Sequence, residues 1–309
     1  MRVLVTGATG FVGRALVPAL VSRDGVVVRA ALRSQDDRSA SLESVVVGEV
    51  DSRTEWRVAI ESVDVIVHLA ARVHVMHDRA ADSLAAFRRT NVSGSLRLAE
   101  QAASAGVRRL VYLSSIKVNG ETGVFRETDA PSPEDPYGVS KCEAENGLRA
   151  IAARSGLEVV IIRPPLVYGP NVKGNFQWLM HAVARGVPLP LGAVHNSRSF
   201  VALDNLVDLI VTCIAHPAAV NQVFFVSDGE DISTTALITR LGLAMERRPR
   251  LIPVPAALLM LSAALLGKRA VANRLLGSLC VDISKARGVL GWTPYLTVDE
   301  GLKRAARGT

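Results

Sequence analysis

The sequence predicts an α/β protein with a doubly wound parallel sheet and a smaller domain interleaved with it towards the C-terminus. Short runs rich in β-branched residues alternate with longer helical patterns through the first two thirds of the 309 residues. Several of these runs are apolar throughout, as expected when helices cover both faces of a sheet. After Arg163 prolines and glycines become frequent, which indicates irregular connections and short elements.

Each element of this fold has its own signal in the sequence. Apolar, β-branched runs predict strands at residues 2–6, 26–32, 45–47, 65–68, 109–114, 158–163 and 223–227. Helical periodicity predicts helices at residues 12–22, 83–105, 137–155 and 204–216. Because 200–227 returns to the pattern of the main sheet, we expect one domain from residues 1–164 and 200–227. Residues 165–199 and 228–309 then form the smaller domain.

Composition and charge exclude several classes of protein. The chain has 36 basic and 29 acidic side chains, and this net charge of +7 fits either nucleic acid or a phosphate-rich small ligand. The densest basic run, 246–250, is short and broken by a proline, so we expect no nucleic-acid partner. The three cysteines (Cys142, Cys213, Cys280) are far apart and lack metal-ligand spacing, which favours reduced thiols in a cytoplasmic protein.

The one membrane-like segment is LIPVPAALLMLSAALLG, at residues 251–267. It is shorter than the roughly 20 residues that a membrane span needs, and it has two prolines near its start. We therefore expect a buried helix here and no stable insertion into a membrane.

A glycine-rich turn, G-x-x-G-x-x-G, follows the first predicted strand and opens the first helix. Without side chains there, the backbone can approach a pyrophosphate, and the helix N-terminus offers N–H donors and a positive dipole end. This strand–turn–helix context predicts a Rossmann-type dinucleotide site. The turn residues that we assign to it are Gly7, Thr9, Gly10, Phe11, Val12 and Gly13.

Two further motifs point to proton transfer. Tyr137 and Lys141 share one face if the segment is helical, and a nearby ammonium lowers the pKa of a phenol towards working pH. Such a tyrosine can exchange a proton with an alcohol or a carbonyl. Ser114 and Ser115 stand at the carboxyl end of a predicted strand, where open α/β sheets place their ligands.

Together with HLAA at 68–71 and RPPLVYGP at 163–170, these motifs resemble the extended short-chain dehydrogenase/reductase family over essentially the whole chain. The resemblance implies that Ser115, Tyr137 and Lys141 are the catalytic triad. Ser115 and Tyr137 would bind a sugar oxygen and Tyr137 would move the proton, while Lys141 lowers the pKa of Tyr137 and holds the nicotinamide ribose. Asn91 matches a position near the active site. Further cofactor contacts implied by the family are Leu69, Ala70, Ala71, Pro164 and, at the adenine, either Glu49 or Asp51.

The smaller domain in this family mostly binds nucleotide-sugars and clamps the diphosphate with arginines. Arg198 and Arg274 match that role by resemblance, and Asn175 resembles an asparagine that touches the diphosphate. Bidentate guanidinium–phosphate bonds give these assignments a physical reason. The expected substrate residues are Val73, Ser115, Lys117, Val118, Asn175, Arg198 and Arg274.

Several positions depart from the family pattern. Lys117 and Asn119 replace a small residue and a tyrosine that often follow the catalytic serine in 4-epimerases. Leu166 replaces a substrate-binding asparagine of galactose epimerases. Two histidines and an aspartate within 74–78 suggest a metal site, but this chemistry needs no metal and we expect none.

The cofactor bears on the direction of the reaction. An acidic residue after the second strand binds the ribose 2′-hydroxyl of NAD, whereas an arginine accommodates the 2′-phosphate of NADP. The stretch VVVRAALRS ends in Arg33 and Ser34 without an acid. NADP(H) is therefore favoured, with NAD(H) as the alternative. Because cells keep NADP largely reduced, this choice favours a net reduction.

The stretches SSIKVNGE, NVKGNF and LGSLCVDISK resemble bacterial reductases and epimerases of surface-polysaccharide pathways. Together with the cofactor, this resemblance implies first a 4-ketoreductase that reduces UDP-2-acetamido-2,6-dideoxy-4-hexulose to UDP-N-acetylquinovosamine for a surface polysaccharide such as O-antigen. The alternative is a UDP-glucose or UDP-N-acetylglucosamine 4-epimerase, which uses the same triad. A dehydratase is disfavoured because Ile116 and Lys117 stand where that class usually has an Asp–Glu pair. A non-catalytic dinucleotide sensor is disfavoured because such relatives typically lose the tyrosine or the lysine. The family also implies a homodimer through a four-helix bundle, formed by the helices at 83–105 and 137–155.

Overall fold

The computed structural model describes residues 1–35, 42–73, 82–267 and 269–307, with residues 269–271 and 274 described by their backbone alone. Its strands are β1 (Arg2–Thr6), β2 (Val27–Leu32), β3 (Glu43–Val46), β4 (Val65–His68), β5 (Arg109–Leu113), β6 (Gly123–Phe125), β7 (Glu158–Arg163), β8 (Leu166–Tyr168), β9 (Arg198–Ala202), β10 (Val223–Phe225), β11 (Asp231–Ile232) and β12 (Leu279–Val281). Its helices are α1 (Phe11–Val21), α2 (Arg57–Ile60), α3 (Ser83–Phe87), α4 (Ser95–Ser104), α5 (Pro136–Arg154), α6 (Asn175–Ala184), α7 (Leu203–Ala215), α8 (Thr234–Ala244), α9 (Ala256–Leu265), α10 (Arg269–Leu276), α11 (Ser284–Leu290) and α12 (Val298–Arg307).

The main sheet has seven parallel strands in the order β10-β7-β5-β4-β1-β2-β3. On one side of β1 the strands follow in the order β2 and β3, and on the other side in the order β4, β5, β7 and β10. The direction in which strands are added therefore reverses between β1 and β4. Sheets of this kind bind ligands beyond the carboxyl ends of the strands at that point. The predicted doubly wound α/β fold is confirmed, and all seven predicted strands are present with ends shifted by at most two residues.

Helices cover both faces of this sheet because successive residues of each central strand are apolar. Val3 and Val5 of β1 belong to the core that α1 and α7 cover. Leu4, between them, points to the opposite core, which α4 and α5 cover. Full burial of such a side chain contributes about 1.5–3 kcal/mol to stability. The core therefore positions the carboxyl ends of β1, β4 and β5 firmly beneath the candidate site.

The helix predicted at 83–105 contains an irregularity that the sequence does not announce. A seven-residue π-helical segment, Arg88–Gly94, lies between α3 and α4. Its wider turn directs Asn91 inwards, where Asn91 Nδ2 donates to Arg72 O and to Ser140 Oγ, each at 3.0 Å. Single π turns in α-helices occur frequently at functional sites. Here the segment ties the loop after β4 to α5.

A second, smaller sheet has the order β11-β9-β12-β6, with β8 paired to β9. Its strand β6 comes from residues 123–125 and pairs with β12 from the C-terminal part of the chain. Conversely, β10 at 223–225 completes the edge of the main sheet beside β7. The two sheets are thus built from interleaved segments. The domain boundaries at 164, 199 and 227 stay a prediction.

The segment at 251–267 is not the buried helix that the sequence predicts. Its helix α9 has no buried residue, and Leu258, Leu261 and Leu265 are exposed. It packs on α10 and reaches the core only at its edge, through Leu259. Hydropathy shows that a segment favours apolar surroundings, but not that its own chain supplies them. Among the described residues, no helix is long and apolar enough to cross a membrane.

Candidate active site

The glycine-rich turn after β1 is shaped for the close approach of a ligand. Gly7 has a φ of +68°, and a Cβ there would lie 2.8 Å from Ala70 N. A Cβ on Gly13 would lie 2.2 Å from Gly7 O, so α1 can pack on the turn only with glycine there. Gly10 caps α1 without a side-chain hydrogen bond, which leaves the first N–H groups of the helix available to a phosphate.

A groove of about 340 Å³ runs from this turn along the carboxyl ends of β1, β2 and β4. Its lining residues are Thr6, Gly7, Thr9, Gly10, Ala31, Leu32, Arg33, Val47, Gly48, Glu49, Val50, Trp56, Leu69, Ala70, Ala71 and Thr90. Eight of the predicted cofactor residues are among them: Gly7, Thr9, Gly10, Arg33, Glu49, Leu69, Ala70 and Ala71. The groove therefore fits the phosphate and adenosine part of a dinucleotide.

The remaining predicted cofactor residues lie around the groove rather than in its lining. Phe11, Val12 and Gly13 form the first turn of α1. Ser34 follows Arg33 beyond the end of β2. Pro164 is buried after β7, and its carbonyl accepts from Ile116 N at 3.0 Å.

The structure separates the two acidic residues between which the sequence did not decide. Glu49 lines the groove, whereas Asp51 is nearly buried beside it. Asp51 Oδ1 accepts from Arg53 N at 2.8 Å and Oδ2 accepts from Arg89 Nη2 at 3.0 Å. The hydrogen bond from the Arg53 backbone, followed by that from Arg89, lowers the pKa of Asp51. Asp51 therefore shapes the turn, and Glu49 is the acid that faces a ligand.

Arg33 and Glu49 share one corner of the groove. Their side chains are 73% and 70% exposed, and Arg33 Nη1 lies 3.9 Å from Glu49 Oε1. A carboxylate beside the arginine repels a 2′-phosphate placed there, and this opposes the attraction of Arg33. The end of β2 alone does not show this negative charge. Glu49 belongs to the loop after β3, and β3 pairs with β2 in the sheet, which brings Glu49 close to Arg33.

The three candidate catalytic residues meet beyond the carboxyl end of β5. Ser115 follows β5, and its hydroxyl forms a hydrogen bond with Tyr137. Tyr137 and Lys141 lie one turn apart on α5, whose N-terminus is capped by Asp135 Oδ1 accepting from Gly138 N at 2.7 Å. Lys141 Nζ donates to Leu113 O at 2.8 Å. The sequence motif therefore corresponds to a real cluster of hydroxyl, phenol and amine.

Burial governs the ionisation of this cluster. It raises the pKa of Tyr137 above its usual value, the charge of Asp135 raises it further, and the hydrogen bond with Ser115 opposes both. Burial also lowers the pKa of Lys141 to about 7, against the opposing charge of Glu145. In this arrangement the pKa of Tyr137 is raised, and its expected lowering by Lys141 stays a prediction. The reason for the raised pKa is that burial favours the neutral form of both groups, and that the amine is directed at Leu113 O and at the ring of Tyr112, 4.4 Å from its centroid.

His68 supports the wall of the groove, a role that the sequence did not show. Its Nδ1 lies 2.7 Å from Thr6 Oγ1 and its Nε2 lies 2.9 Å from Ser95 Oγ. Thr6 Oγ1 also accepts from Ala70 N at 3.1 Å, which holds the lining residue Ala70 in place. Burial, and then the charge of Lys141, lowers the pKa of His68 to about 3. His68 is therefore a neutral bridge between β1, β4 and α4.

A second buried network lies behind the candidate catalytic residues. Glu145 Oε1 accepts from Ser114 Oγ at 2.5 Å and from Arg163 Nε at 2.9 Å. Arg163 Nη1 donates to Asn119 Oδ1 at 2.8 Å. All four side chains are at least nine-tenths buried. Asn119, a departure from the family pattern, thus has a structural partner that sequence spacing could not reveal.

Lys117 is held by carboxylates rather than standing free at a pocket rim. Its Nζ donates to Glu121 Oε1 at 2.8 Å and to Asp135 Oδ2. Its carbonyl oxygen would lie 2.6 Å from a Cβ on Gly138, so the loop after Ser115 packs directly on the first turn of α5. Lys117 therefore joins the loop of Ser115 to the helix of Tyr137.

The other predicted substrate residues are spread over the smaller sheet and its surroundings. Arg198 begins β9 and donates from Nη1 to Gly277 O at 2.7 Å, and burial lowers the pKa of its guanidinium. Asn175 is exposed at the start of α6, and Val73 is exposed after β4. Val118 is fully buried, and its predicted contact with a substrate stays a prediction.

Two predictions fall outside the described structure. Arg274 lies on α10, but its side chain is not described. The histidines and the aspartate within 74–78 also lie outside the described residues. Among the residues that are described, no group of three or more His, Cys, Asp or Glu side chains is placed to hold a metal ion.

Comparison with known proteins gives relatives for the whole chain. A family model described as "NAD dependent epimerase/dehydratase family" matches residues 3–227. A UDP-glucose 4-epimerase of Vibrio cholerae is 46% identical over 99% of this chain and 94% of its own. A UDP-glucose 4-epimerase of Mycolicibacterium smegmatis is 31% identical over 98% of this chain and 97% of its own. The solved structure of MoeE5 in complex with UDP-glucose and NAD covers 100% of this chain and 98% of its own, with 28% identity and a TM-score of 0.80.

Proposed function

This chain belongs to the NAD dependent epimerase/dehydratase family, and we propose that it is a UDP-sugar 4-epimerase that works with NAD. The observation that carries the proposal is the hydrogen bond between Ser115 and Tyr137, with Lys141 one helical turn away, beyond the end of the dinucleotide groove. The names of two relatives that cover nearly the whole chain support the choice of reaction.

The residues of the groove and of the triad have separate tasks in this proposal. NAD, when bound, supplies the reversible acceptance of a hydride. Gly7, Gly10 and the first N–H groups of α1 bind its pyrophosphate, and Glu49 faces its adenosine part. The cofactor binds without a covalent link, through the wall that Leu69, Ala70 and Ala71 form.

The triad moves the proton of the sugar hydroxyl at C4. Ser115 Oγ donates a hydrogen bond to the C4 oxygen, and Tyr137 Oη takes its proton and later returns it. Lys141, whose pKa of about 7 lets it gain or lose a proton near neutrality, stabilises the phenolate in its charged form. Because the proton goes back to the same oxygen, epimerisation consumes neither cofactor nor solvent protons.

The sequence alone favoured a 4-ketoreductase with NADP(H), and the relatives favour the alternative. That preference depended on Arg33, which shares its corner of the groove with Glu49. The matched structure of MoeE5 contains NAD and UDP-glucose, which supports NAD(H) and gives no support to NADP(H). We therefore place UDP-glucose or UDP-N-acetylglucosamine first as substrate, and reduction to UDP-N-acetylquinovosamine second.

Substrate binding and assembly complete the proposal. Arg198, Arg274 and Asn175 contact the diphosphate of the UDP-sugar, since guanidinium groups bind phosphate bidentately. A homodimer forms through the helices on either side of the π segment and through α5, which pack side by side in the monomer. The enzyme acts in the cytoplasm, where UDP-sugars are made.

The test is incubation of the purified chain with UDP-glucose, with UDP-N-acetylglucosamine and with a UDP-4-keto-6-deoxy sugar, each with NAD or NADPH. We expect conversion of a UDP-sugar to its C4 epimer, followed by NMR, without net change in nicotinamide absorbance. Consumption of NADPH with the keto sugar alone would instead identify a reductase.

A variant separates enzyme from sensor. Tyr137→Phe removes the proton-transferring oxygen, and we expect a loss of turnover of roughly 10²–10⁴-fold with NAD binding retained. If the wild type and Tyr137→Phe bind NAD equally well and neither shows activity, the proposed function is contradicted.

A further inference from the structure

The outward face of α9 is an apolar feature that the candidate active site does not use. Leu258, Leu261 and Leu265 follow the i, i+3, i+7 spacing of one helix face, and they are 57%, 59% and 81% exposed. Leu266, directly after α9, and Ile252, in the segment that leads into it, are also exposed. Contiguous exposed apolar side chains on a soluble protein usually mark an interaction site. We refer to these five residues as the α9 face.

The α9 face is flanked by positive charge. Between residues 246 and 269 the sequence has five basic residues and one acidic residue, Glu246; the basic ones are Arg247, Arg248, Arg250, Lys268 and Arg269. Arg247, Arg248 and Arg250 are exposed immediately before the segment that leads into α9. A Cβ on Gly186 would lie 4.0 Å from Arg250 Nε, and the neighbouring Arg185 at the end of α6 is also exposed. The apolar face therefore has a basic border.

We propose that the α9 face and its basic border bind the surface of an anionic lipid bilayer. The leucines enter the boundary between head groups and acyl chains, and the arginines contact lipid phosphates. A ten-residue helix is about 15 Å long, which suits a helix that lies in the membrane plane. The proposal rests on the exposure of α9 and on charge, and is independent of the proposed enzymatic reaction.

A second copy of this chain fits the α9 face less well. A two-fold dimer brings the same patch of both subunits together, so the arginines of one border would approach the arginines of the other. Like charges brought together across an interface cost free energy. A leaflet with anionic lipids has negative head groups beside an apolar layer. These complement the arginines and the leucines of the α9 face, so a bilayer is the better partner.

The test is sedimentation of the full chain with vesicles of phosphatidylcholine alone or mixed with phosphatidylglycerol, at low and high salt. We expect binding to the mixed vesicles at low salt and weak binding to phosphatidylcholine alone. The double variant Leu261→Gln and Leu265→Gln should lower the partition coefficient by about tenfold or more. The double variant Arg247→Gln and Arg248→Gln should lower it less and weaken its salt dependence.

Val58→Gln serves as the matched control, because Val58 is an exposed apolar residue on α2. This variant should bind vesicles like the wild type. Circular dichroism melting checks that all variants remain folded. Failure of the wild type to bind the mixed vesicles, or equal binding by the leucine variant, overturns the proposal. A concentration-dependent dimer that the leucine variant abolishes also overturns it, since a second copy then covers the α9 face.

Discussion

Tyr137 and Lys141 lie one turn apart on α5, yet the structure shifts their pKa values in opposite directions, upwards for the phenol and down to about 7 for the amine. Both shifts favour the uncharged form, as burial always does. Sequence spacing correctly predicted that the two groups share a helix face, because that depends only on the helix period. It could not predict the burial of that face, which depends on Phe87, Tyr112 and other residues far along the chain.

Cofactor choice gives a first prediction at this scale. Glu49→Gln removes the carboxylate beside Arg33, so binding of NADP relative to NAD should rise roughly two- to fivefold, the range for an exposed charge. The measurement is the dissociation constant of each cofactor by titration calorimetry. Arg33→Gln should shift the ratio the other way. If Glu49→Gln leaves the ratio of NADP to NAD binding unchanged, Arg33 and Glu49 do not lie beside the 2′ position of the bound cofactor.

A second prediction concerns His68 and acid stability. Its pKa of about 3 in the folded chain lies below the unfolded value of 6.5, so the unfolded chain takes up the proton first. Stability from neutral His68 is fully present above pH 6.5 and is lost as the pH falls towards 3, by about 1.4 kcal/mol per pH unit. We expect His68→Gln to flatten the pH dependence of the free energy of unfolding across this window, measured by urea denaturation.

The control for that prediction is His181→Gln, because His181 is exposed on α6. This variant should keep the pH dependence of the wild type. If His68→Gln also keeps it, the neutral bridge from His68 to Thr6 and Ser95 contributes nothing to acid sensitivity.

At the scale of elements, periodicity predicted the strands of the main sheet and the helices between them to within a few residues. Local signals sufficed there because β1, β4, β5 and β7 are apolar on both faces. The π segment Arg88–Gly94 escaped prediction because it is stabilised by partners of Asn91 that lie far along the chain. The exposure of α9 could not be predicted for the same reason. Whether this helix is buried depends on which other parts of the chain pack against it.

The turn between β1 and α1 gives a third prediction. Gly13→Ala places a Cβ about 2.2 Å from Gly7 O, so α1 must shift, and we expect a loss of about 1–3 kcal/mol in the free energy of unfolding together with weaker NAD binding. Gly156→Ala is the matched control, because a Cβ there meets no neighbouring atom. It should change stability by no more than about 0.5 kcal/mol. Equal stabilities of the two variants would contradict the packing described for the turn.

At the scale of the whole molecule, the two sheets exchange segments. The main sheet needs β10 and the cover of α7, which follow the first strands of the smaller sheet, and the smaller sheet needs β6, which precedes β7. The sequence predicted a return of 200–227 to the main sheet from its helix-then-strand pattern. It could not predict β6, because a three-residue strand has too few positions to show a period.

This exchange gives a fourth prediction. A fragment of residues 1–164 keeps α1 but lacks α7 and β10, so the core face formed by Val3, Val5 and Val160 loses much of its cover. We expect the fragment to aggregate or to unfold without a cooperative transition, measured by size-exclusion chromatography and urea denaturation. A monomeric fragment with a sharp transition would show that the larger sheet folds alone.

The pairing of β6 with β12 also orders events during synthesis. The loop with Ser115 leaves the ribosome directly before β6 (Gly123–Phe125), but its partner strand β12 begins only at Leu279. Until that late strand emerges, β6 lacks its pairing partner, although the loop of Ser115 already contacts α5 through Lys117 and Asp135. Domains generally fold from the N-terminus as they are made. Here β12 follows all the strands and loops of the groove in the chain, so a chain released before Leu279 is expected to have the groove without the paired strand that follows the Ser115 loop.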